Sequence, residues 1–572
     1  MNKKNTRIVQ NSLVKIAQKW YYTFVLNMNR GRSPRKPIRR VYRFMKKTVK
    51  KLTAVGLTLT SVMGLVACGN NGAASNGGSA NNSKKEVTKP TSFSVMVDNT
   101  VLSEENGAKA FYKYLEQVTG LAEGTINWVR PPHSSYYDAV KSAFTSGSEA
   151  DVVLLSSDYY ALYAANGMLW DMTDAWNNSE TKNSGRLIAT ADNVLSSLQV
   201  VGDDGKKAMY GFSPYRGNGC CTYIKKAWLT KAGIDVSKVE NVTMDFNTYY
   251  GYLKQMAASA GHYVISAPGF VSNEAPYTNY LPEFFQKAQY SFYQNTSGKY
   301  VDGFSEQAMK DALKRIQTAV ADGVIDKASN GQTTADARNK FYSTDASTEA
   351  GVFTYWAGTW AESLTKNLKS KGLDAELIAI NPIKELGKYV ERLAPAWCIT
   401  EKAQNPEGIF KYFIDTMLDG GDVQIAWEAG AKGTHWDTKA ETVTVKGKED
   451  KGTAYTEGQF HFLPSPEKPN TLINKNHIDP ILSLGKLKDG VPAPTVAEIA
   501  QKNGEWFANN CEQVKAVPMT DATSDYLNDV NKARNEVVAK VALGDWTIDQ
   551  GMDYYNQQVK TYVDQILASL NK

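Results

Sequence analysis

Aromatic side chains in turns, beside groups that trade hydrogen bonds with hydroxyls, are the residues of this chain best fitted to do chemistry. Trp356 and Trp360 flank a Gly-Thr pair, Trp397 lies in Pro395-Ala396-Trp397-Cys398, and His435-Trp436 ends a Gly-rich loop. Tyr215 and Arg216 stand together after Pro214, while Asn99 and the pair Asp158-Tyr159 each follow an apolar, strand-like run. A sugar offers apolar C–H faces and a rim of hydroxyls. Flat aromatic faces suit the first, and Asp, Asn and Arg side chains suit the second. Several such platforms in one cleft would make an oligosaccharide site. Each has a plainer alternative: tryptophan fills cores as readily as sites, Asp158 could cap a helix, and Arg216 could close an ion pair. Trp170, Trp228 and Trp427 sit in helical or strand patterns and are assigned to the core.

Patterns for turnover are missing. There is no G-x-S-x-G, no H-E-x-x-H and no P-loop, and the five histidines make no ligand or triad spacing. A glycosidase needs two carboxylates across a cleft, and the 59 acidic residues single out no pair. The expectation is a binding protein that is not an enzyme and has no cofactor and no metal. A peptide binder, which would recognise backbone through main-chain pairing, and a scaffold lipoprotein are the other readings.

A second chemistry is signalled at Cys68. Basic residues from Met45 to Lys51 precede Leu52 to Ala67, a run of 16 residues without a charge, which ends in Leu65-Val66-Ala67-Cys68-Gly69. This is the layout of an export signal, and its ending resembles a bacterial lipobox in which Cys68 is lipidated and becomes the first mature residue. Residues 45–68 are therefore expected to be a lipoprotein signal, and 1–44 an over-called extension. Residues 69–90, rich in Gly, Asn and Ser, form a flexible linker. The leader, residues 1–68, carries 16 of the 65 Lys and Arg and none of the 59 Asp and Glu, so the remainder is net −10. That sign argues against nucleic acid as a partner. Cys220, Cys221, Cys398 and Cys511 are too few for a disulfide scaffold. No second span follows, so the mature protein is expected on the extracellular face of the membrane, held by lipid.

The body must position these groups. Strands are expected at Phe93 to Val97, Thr125 to Val129 and Asp151 to Leu155. Between them fall helices through Phe111, Tyr114, Leu115 and Val118 and around 136–144. This alternation implies an α/β architecture with a mostly parallel sheet. Ser305 is expected to cap a helix carrying Met309, Leu313 and Ile316, Asn405-Pro406 to open another, and Thr547 to cap the last. Residues 437–457 read as an exposed loop or hairpin.

Several segments together resemble extracellular solute-binding proteins of ABC importers, family 1, the maltose-binding-protein-like group in its large Gram-positive lipoprotein branch. Phe144 to Val153 resembles the family's turn into a strand, and Ala165 to Asp174 its "G.L.DLT". Tyr210-Gly211-Phe212-Ser213-Pro214 is similar to its crossing strand, and Tyr223 to Ile234 to its "YNK.LL.KAGI". Trp356 to Trp360 resembles its "GSW" turn and Gly430 to Trp436 its "G.EG.HY" loop, with Lys432 in place of the glutamate. The matches run from about residue 93 to 570. The resemblance implies a two-lobe periplasmic-binding-protein-like fold with a hinge. Lobe one would be 91–213 plus 380–435, and lobe two 214–379 plus 436–572. It also implies a monomer that closes on a carbohydrate and delivers it to ABC permease subunits. Open α/β sheets bind at the carboxyl ends of strands, which picks out Asp98-Asn99 and Ser157-Asp158-Tyr159. Some relatives carry an EF-hand-type calcium loop; no such loop occurs here.

Overall fold

The first lobe is built on strands whose residues are apolar on both faces. The computed structural model describes residues 86–99, 107–271, 278–445, 451–465, 470, 478–514, 517–518 and 520–572. Cys68, the export signal and the linker as far as residue 85 lie outside the described residues, as does the side chain of Asp158. Strands β1 (Phe93–Met96), β2 (Ile126–Val129) and β3 (Val152–Leu155) are joined by helices α1 (Ala108–Val118) and α2 (Tyr136–Ser146), and α3 (Ser157–Ala165) follows β3. β1 pairs in parallel with β2 and β3, as such crossovers demand. Val95, Val152 and Val153 are fully enclosed, and Phe111 and Leu115 of α1 reach the same core.

The second lobe departs from the expected parallel sheet. Its strands β4 (Cys220–Lys225), β5 (Val352–Trp356) and β6 (Leu377–Ala379) pair antiparallel in the order β6-β4-β5. The reason is topological: β4 and β5 are neighbours in space but more than a hundred residues apart, so no short βαβ crossover constrains their direction. β4 is buried along its whole length. Around it gather Leu253, Ile316, Phe353 and Val537 in a second core.

Chain segments then pass between the cores. Strand β7 (Tyr389–Glu391) packs with the second core through Tyr389, and β8 (Ala396–Ile399) returns to the first sheet, antiparallel to β3. Ile380, Ile383 and Leu386 also belong to the second core, and Ile478 and Leu484 to the first. These residues fall in cores other than those of the lobes to which the sequence reading assigned them: Ile380, Ile383, Leu386 and Tyr389 pack with the second core, and Ile478 and Leu484 with the first. Trp436 and Phe460 lie with the first lobe too: they pack on Ile425 and Ala429, whose helix α4 (Asp422–Ala429) also supplies Trp427 to the first core.

The last part of the chain returns to the second lobe as helix α5 (Glu498–Asn510), a short strand β9 (Cys511–Gln513) parallel to β7, and a hairpin of α6 (Asp521–Ala542) and α7 (Ile548–Leu570). Thr547 caps α7 in a reciprocal box with Gln550, as expected. Asn405 likewise accepts from the Gly408 amide. Ser305 does not cap: its hydroxyl donates to Asp302, and the helix over Gln307–Ala321 starts from Glu306. Strands over Glu441–Thr444 and Lys451–Tyr455 form the expected hairpin. No helix among the described residues is long and apolar enough to cross a membrane.

Candidate functional site

Three stretches of chain tie the lobes together, and glycines let them touch. In the first, 212–220, Phe212 pairs with Trp397, and Arg216 N donates to Leu482 O at 2.7 Å. In the second, 389–396, Arg392 N donates to Asn218 O at 2.9 Å. The third, 478–498, runs beside the first, with Leu484 N donating to Pro214 O at 2.9 Å. A Cβ on Gly217 would sit 1.5 Å from Arg392 O, and one on Gly219 would sit 2.0 Å from Val390 O. Only glycine lets two backbones approach so closely.

Where these stretches meet, side chains of both lobes converge. Tyr137 and Tyr159 of the first lobe stack with ring centroids 4.4 Å apart and planes 11° from parallel. The Tyr137 hydroxyl accepts from Ser156 N at 3.1 Å, which fixes it at the carboxyl end of β3. Tyr215 enters from the first stretch. Burial pushes its phenol up to about 12, opposed by Arg392 and reinforced by Tyr137 and Asp98. Burial also raises Tyr137, with Ser156 and Arg392 pulling the other way. From the second lobe comes Trp356, the last residue of β5, with the Arg392 guanidinium 5.8 Å from its ring centroid. The Arg392 guanidinium therefore sits against an indole of the second lobe. Asp98 closes the rim, its Oδ2 lying 3.3 Å from His133 Nδ1.

Of the residues expected from the sequence, Tyr159 stacks on Tyr137, Tyr215 lies in the first crossing stretch, and Trp356 packs against Arg392 of the second. Asn99 lies beside Asp98 and is exposed, and its Oδ1 accepts from His133 N at 3.1 Å, shaping the turn after β2. Asp158 is the second residue of α3. Trp360 stands apart from Trp356. It meets Tyr355 edge-on at 4.8 Å and carries Arg338 at 5.3 Å. Successive strand residues face opposite ways, so Tyr355 draws Trp360 to the side of β5 away from Trp356.

Four expectations are corrected. Trp397 is 2 % exposed and packs against Phe413 and Trp427 in the first core. Trp436 is wholly buried, stacked on Phe460 with its Nε1 donating to Gly430 O at 2.8 Å. His435 is wholly buried, and its Nδ1 accepts from Ala431 N at 2.7 Å. None of these three offers a face to a ligand. Arg216 donates from Nε and Nη2 to both oxygens of Glu391, at 2.6 and 2.9 Å, so its fork is spent on an ion pair between two crossing stretches. The four cysteines Cys220, Cys221, Cys398 and Cys511 are all free thiols.

Tyr137 and Arg392 were missed. Tyr137 lies in the helix read from the sequence, on the turn that opens it. Arg392 differs from Arg216 only in what tertiary structure sets opposite it.

The second lobe also buries a carboxyl, and no salt bridge to it is found among the described residues. Glu283 is buried and accepts from Thr222 Oγ1 at 2.8 Å and Tyr389 Oη at 3.1 Å. Burial pushes it up to about 7, against those two hydrogen bonds. Glu428, buried beside Gln424 and Ser483 near the third stretch, is likewise pushed up to about 7 by burial. A raised acid pKa means that the folded state holds a proton which the unfolded chain has released. This contribution is fully present below the unfolded value, about 4.5, and is lost as pH rises through about 7. At about 1.4 kcal/mol per pKa unit, Glu283 alone amounts to about 3 kcal/mol. Glu283→Gln, which keeps the neutral shape, is expected to flatten the fall in urea-unfolding free energy between pH 5 and 7. An unchanged slope would contradict the assignment.

No protein-family profile matches the chain, and no curated protein sequence matches it either. Solved structures do. An alginate-binding protein, AlgQ2 without calcium ion, superposes with a TM-score of 0.56 at 17% identity, covering 85% of this chain and 98% of its own. The chain has the fold of a two-lobe solute-binding protein. An HMO-binding, ABC-transporter-associated solute-binding protein from Bifidobacterium longum infantis gives a TM-score of 0.57 at 15% identity, covering 84% and 98%. The N-glycan transport solute-binding protein from Streptococcus pneumoniae gives 0.55 at 16%, also covering 84% and 98%. The superpositions span nearly all of each of these chains, so the likeness is one of overall fold.

Proposed function

We propose that this protein is a solute-binding protein that captures a carbohydrate, an oligosaccharide, between its lobes and delivers it to an ABC importer. The observation that carries this reading is the stacked pair Tyr137 and Tyr159 in one lobe and the indole of Trp356 in the other, set against Arg392 of a crossing stretch. Aromatic faces take up sugar C–H surfaces, and Asp98 and neighbouring polar groups take up hydroxyls. Alginate and N-glycan, named for two of the structural relatives, are carbohydrates. Asn99 and Asp158 belong to the same rim in this reading. The run ending in Cys68 supports lipid anchoring on the extracellular face, with permease subunits as the receiving partners. The protein acts by binding and release, not by turnover.

The test is a melting and tryptophan-fluorescence titration against oligosaccharides, monosaccharides and peptides. A ligand at 100 times its dissociation constant stabilises the fold by about 2.7 kcal/mol. A melting shift with one oligosaccharide class is expected. Trp356→Ala is expected to weaken that binding by at least ~10-fold while leaving the unliganded protein folded. A shift with peptides alone would replace the carbohydrate reading with a peptide one.

A further inference from the structure

The first two crossing stretches meet the second lobe side by side, and a pocket of about 360 Å³ opens beside them. Cys220, the last residue of the first stretch, and Val390, near the start of the second, line it together with Asn279, Gln286 and Gln289. The pocket adjoins the candidate site. Cys220 pairs directly with Trp356 across β4 and β5, and opposed residues of an antiparallel pair project from the same face. Val390 stands two residues before Arg392, so along the extended stretch both turn to the side of Trp356. A ligand unit lying on Trp356 therefore has this pocket next to it.

Gln286 is the residue of the pocket that the fold does not explain. Ala288 N donates to Phe285 O at 3.0 Å, which closes a turn with Gln286 at its second position, at φ 54° and ψ −122°. These are the angles of the first central residue of a type II′ turn, a place that glycine normally fills because a side chain there is strained. The chain holds a glutamine there all the same. Its carboxamide is half-buried on the pocket lining and makes no hydrogen bond among the described residues.

We infer that this pocket is a second sugar subsite, contiguous with the Trp356 wall, and that the Gln286 carboxamide is its specificity-determining contact, pairing with hydroxyls of an uncharged sugar unit. A carboxamide donates and accepts at once, and so matches hydroxyls, which do the same. Three carboxamides line the pocket, beside lysines and a glutamate of opposing sign. That lining suits an uncharged, hydroxyl-rich unit rather than an ionised one. This assignment rests on the carbohydrate reading above.

Calorimetric titration and melting of the wild type, Gln286→Gly and Gln286→Ala test it, with maltohexaose, mannohexaose, cellohexaose and an alginate hexamer as ligands. For the neutral hexamer that the wild type binds, both variants are expected to lose about 3- to 10-fold in affinity, the range for one hydrogen bond between uncharged groups. Their unliganded stabilities should part. Gln286→Gly, which relieves the turn, is expected to melt about 1–3 °C above the wild type, and Gln286→Ala, which keeps the strained angles, to melt with it. A higher melting temperature together with weaker binding is the signature of strain held for a ligand. Wild-type affinity in both variants overturns the assignment and leaves the carbohydrate reading standing. A Gln286→Gly protein that melts below the wild type makes the side chain structural and overturns it too, as does binding of the alginate hexamer alone. Wild-type silence toward all four hexamers overturns the assignment, and peptide binding in its place overturns the reading beneath it.

Discussion

Gly217→Ala is expected to destabilise the protein by at least about 3 kcal/mol, above the usual range for overpacking, and to weaken ligand binding along with it. The added methyl would meet Arg392 O at 1.5 Å and the carbonyl carbon at 2.7 Å. Both are backbone atoms, so no rotamer change relieves the overlap. The two crossing stretches must move apart, which breaks the bond from Arg392 N to Asn218 O and shifts the guanidinium off Trp356. Gly233→Ala is a useful comparison. Gly233, unlike Gly217, has a positive φ, 72°, and nothing lies within 4 Å of a Cβ there. Its cost should be that of the backbone conformation alone, about 1 kcal/mol. Urea unfolding of both variants checks the difference. Equal losses would mean that the crossing has more room than the coordinates give it.

The second large effect is expected far from the site. Arg534 is wholly buried, its Nη2 donating to Asp302 Oδ1 at 2.7 Å and its Nε to Tyr555 Oη at 3.2 Å. Its guanidinium lies 4.7 Å from the Phe292 ring centroid. Tyr555 Oη in turn donates to Asp302 Oδ2 at 3.1 Å. This network fastens the α6–α7 hairpin to the second lobe. Asp302→Ala leaves a buried cation without its carboxylate, which typically costs about 3–5 kcal/mol. Replacing both partners by apolar residues of similar volume, Arg534→Met with Asp302→Leu, is expected to recover most of that loss, because no uncompensated charge remains. A double variant as unstable as Asp302→Ala would show that the network contributes through shape rather than charge.

The first lobe was legible because its periodicity is local. Apolar runs of four or five residues between helical stripes place β1, β2 and β3 within a residue or two, and Gly120, with φ 69°, follows the first helix. The direction of the second sheet was not legible, since β4 and β5 meet across long sequence separation. At the candidate site, Tyr159, Tyr215 and Trp356 are singled out by context, as residues after strands or in turns, and are proposed to face the ligand. Trp397, His435 and Trp436 have the same contexts and are buried. Gly and Pro neighbours report a turn, not whether another element covers it. Arg216 and Arg392 are the sharpest case. Both stand in crossing stretches, and only the position of Glu391, 175 residues from Arg216, shows that the Arg216 fork is spent on that ion pair.

The central claim is that a carbohydrate is held between the lobes and draws them together. Small-angle X-ray scattering with and without the tightest-binding oligosaccharide measures this directly. The account predicts a smaller radius of gyration at saturation, a change that is lost in Trp356→Ala at the same ligand concentration. Tight carbohydrate binding with an unchanged radius of gyration would place the ligand outside the cleft and contradict it.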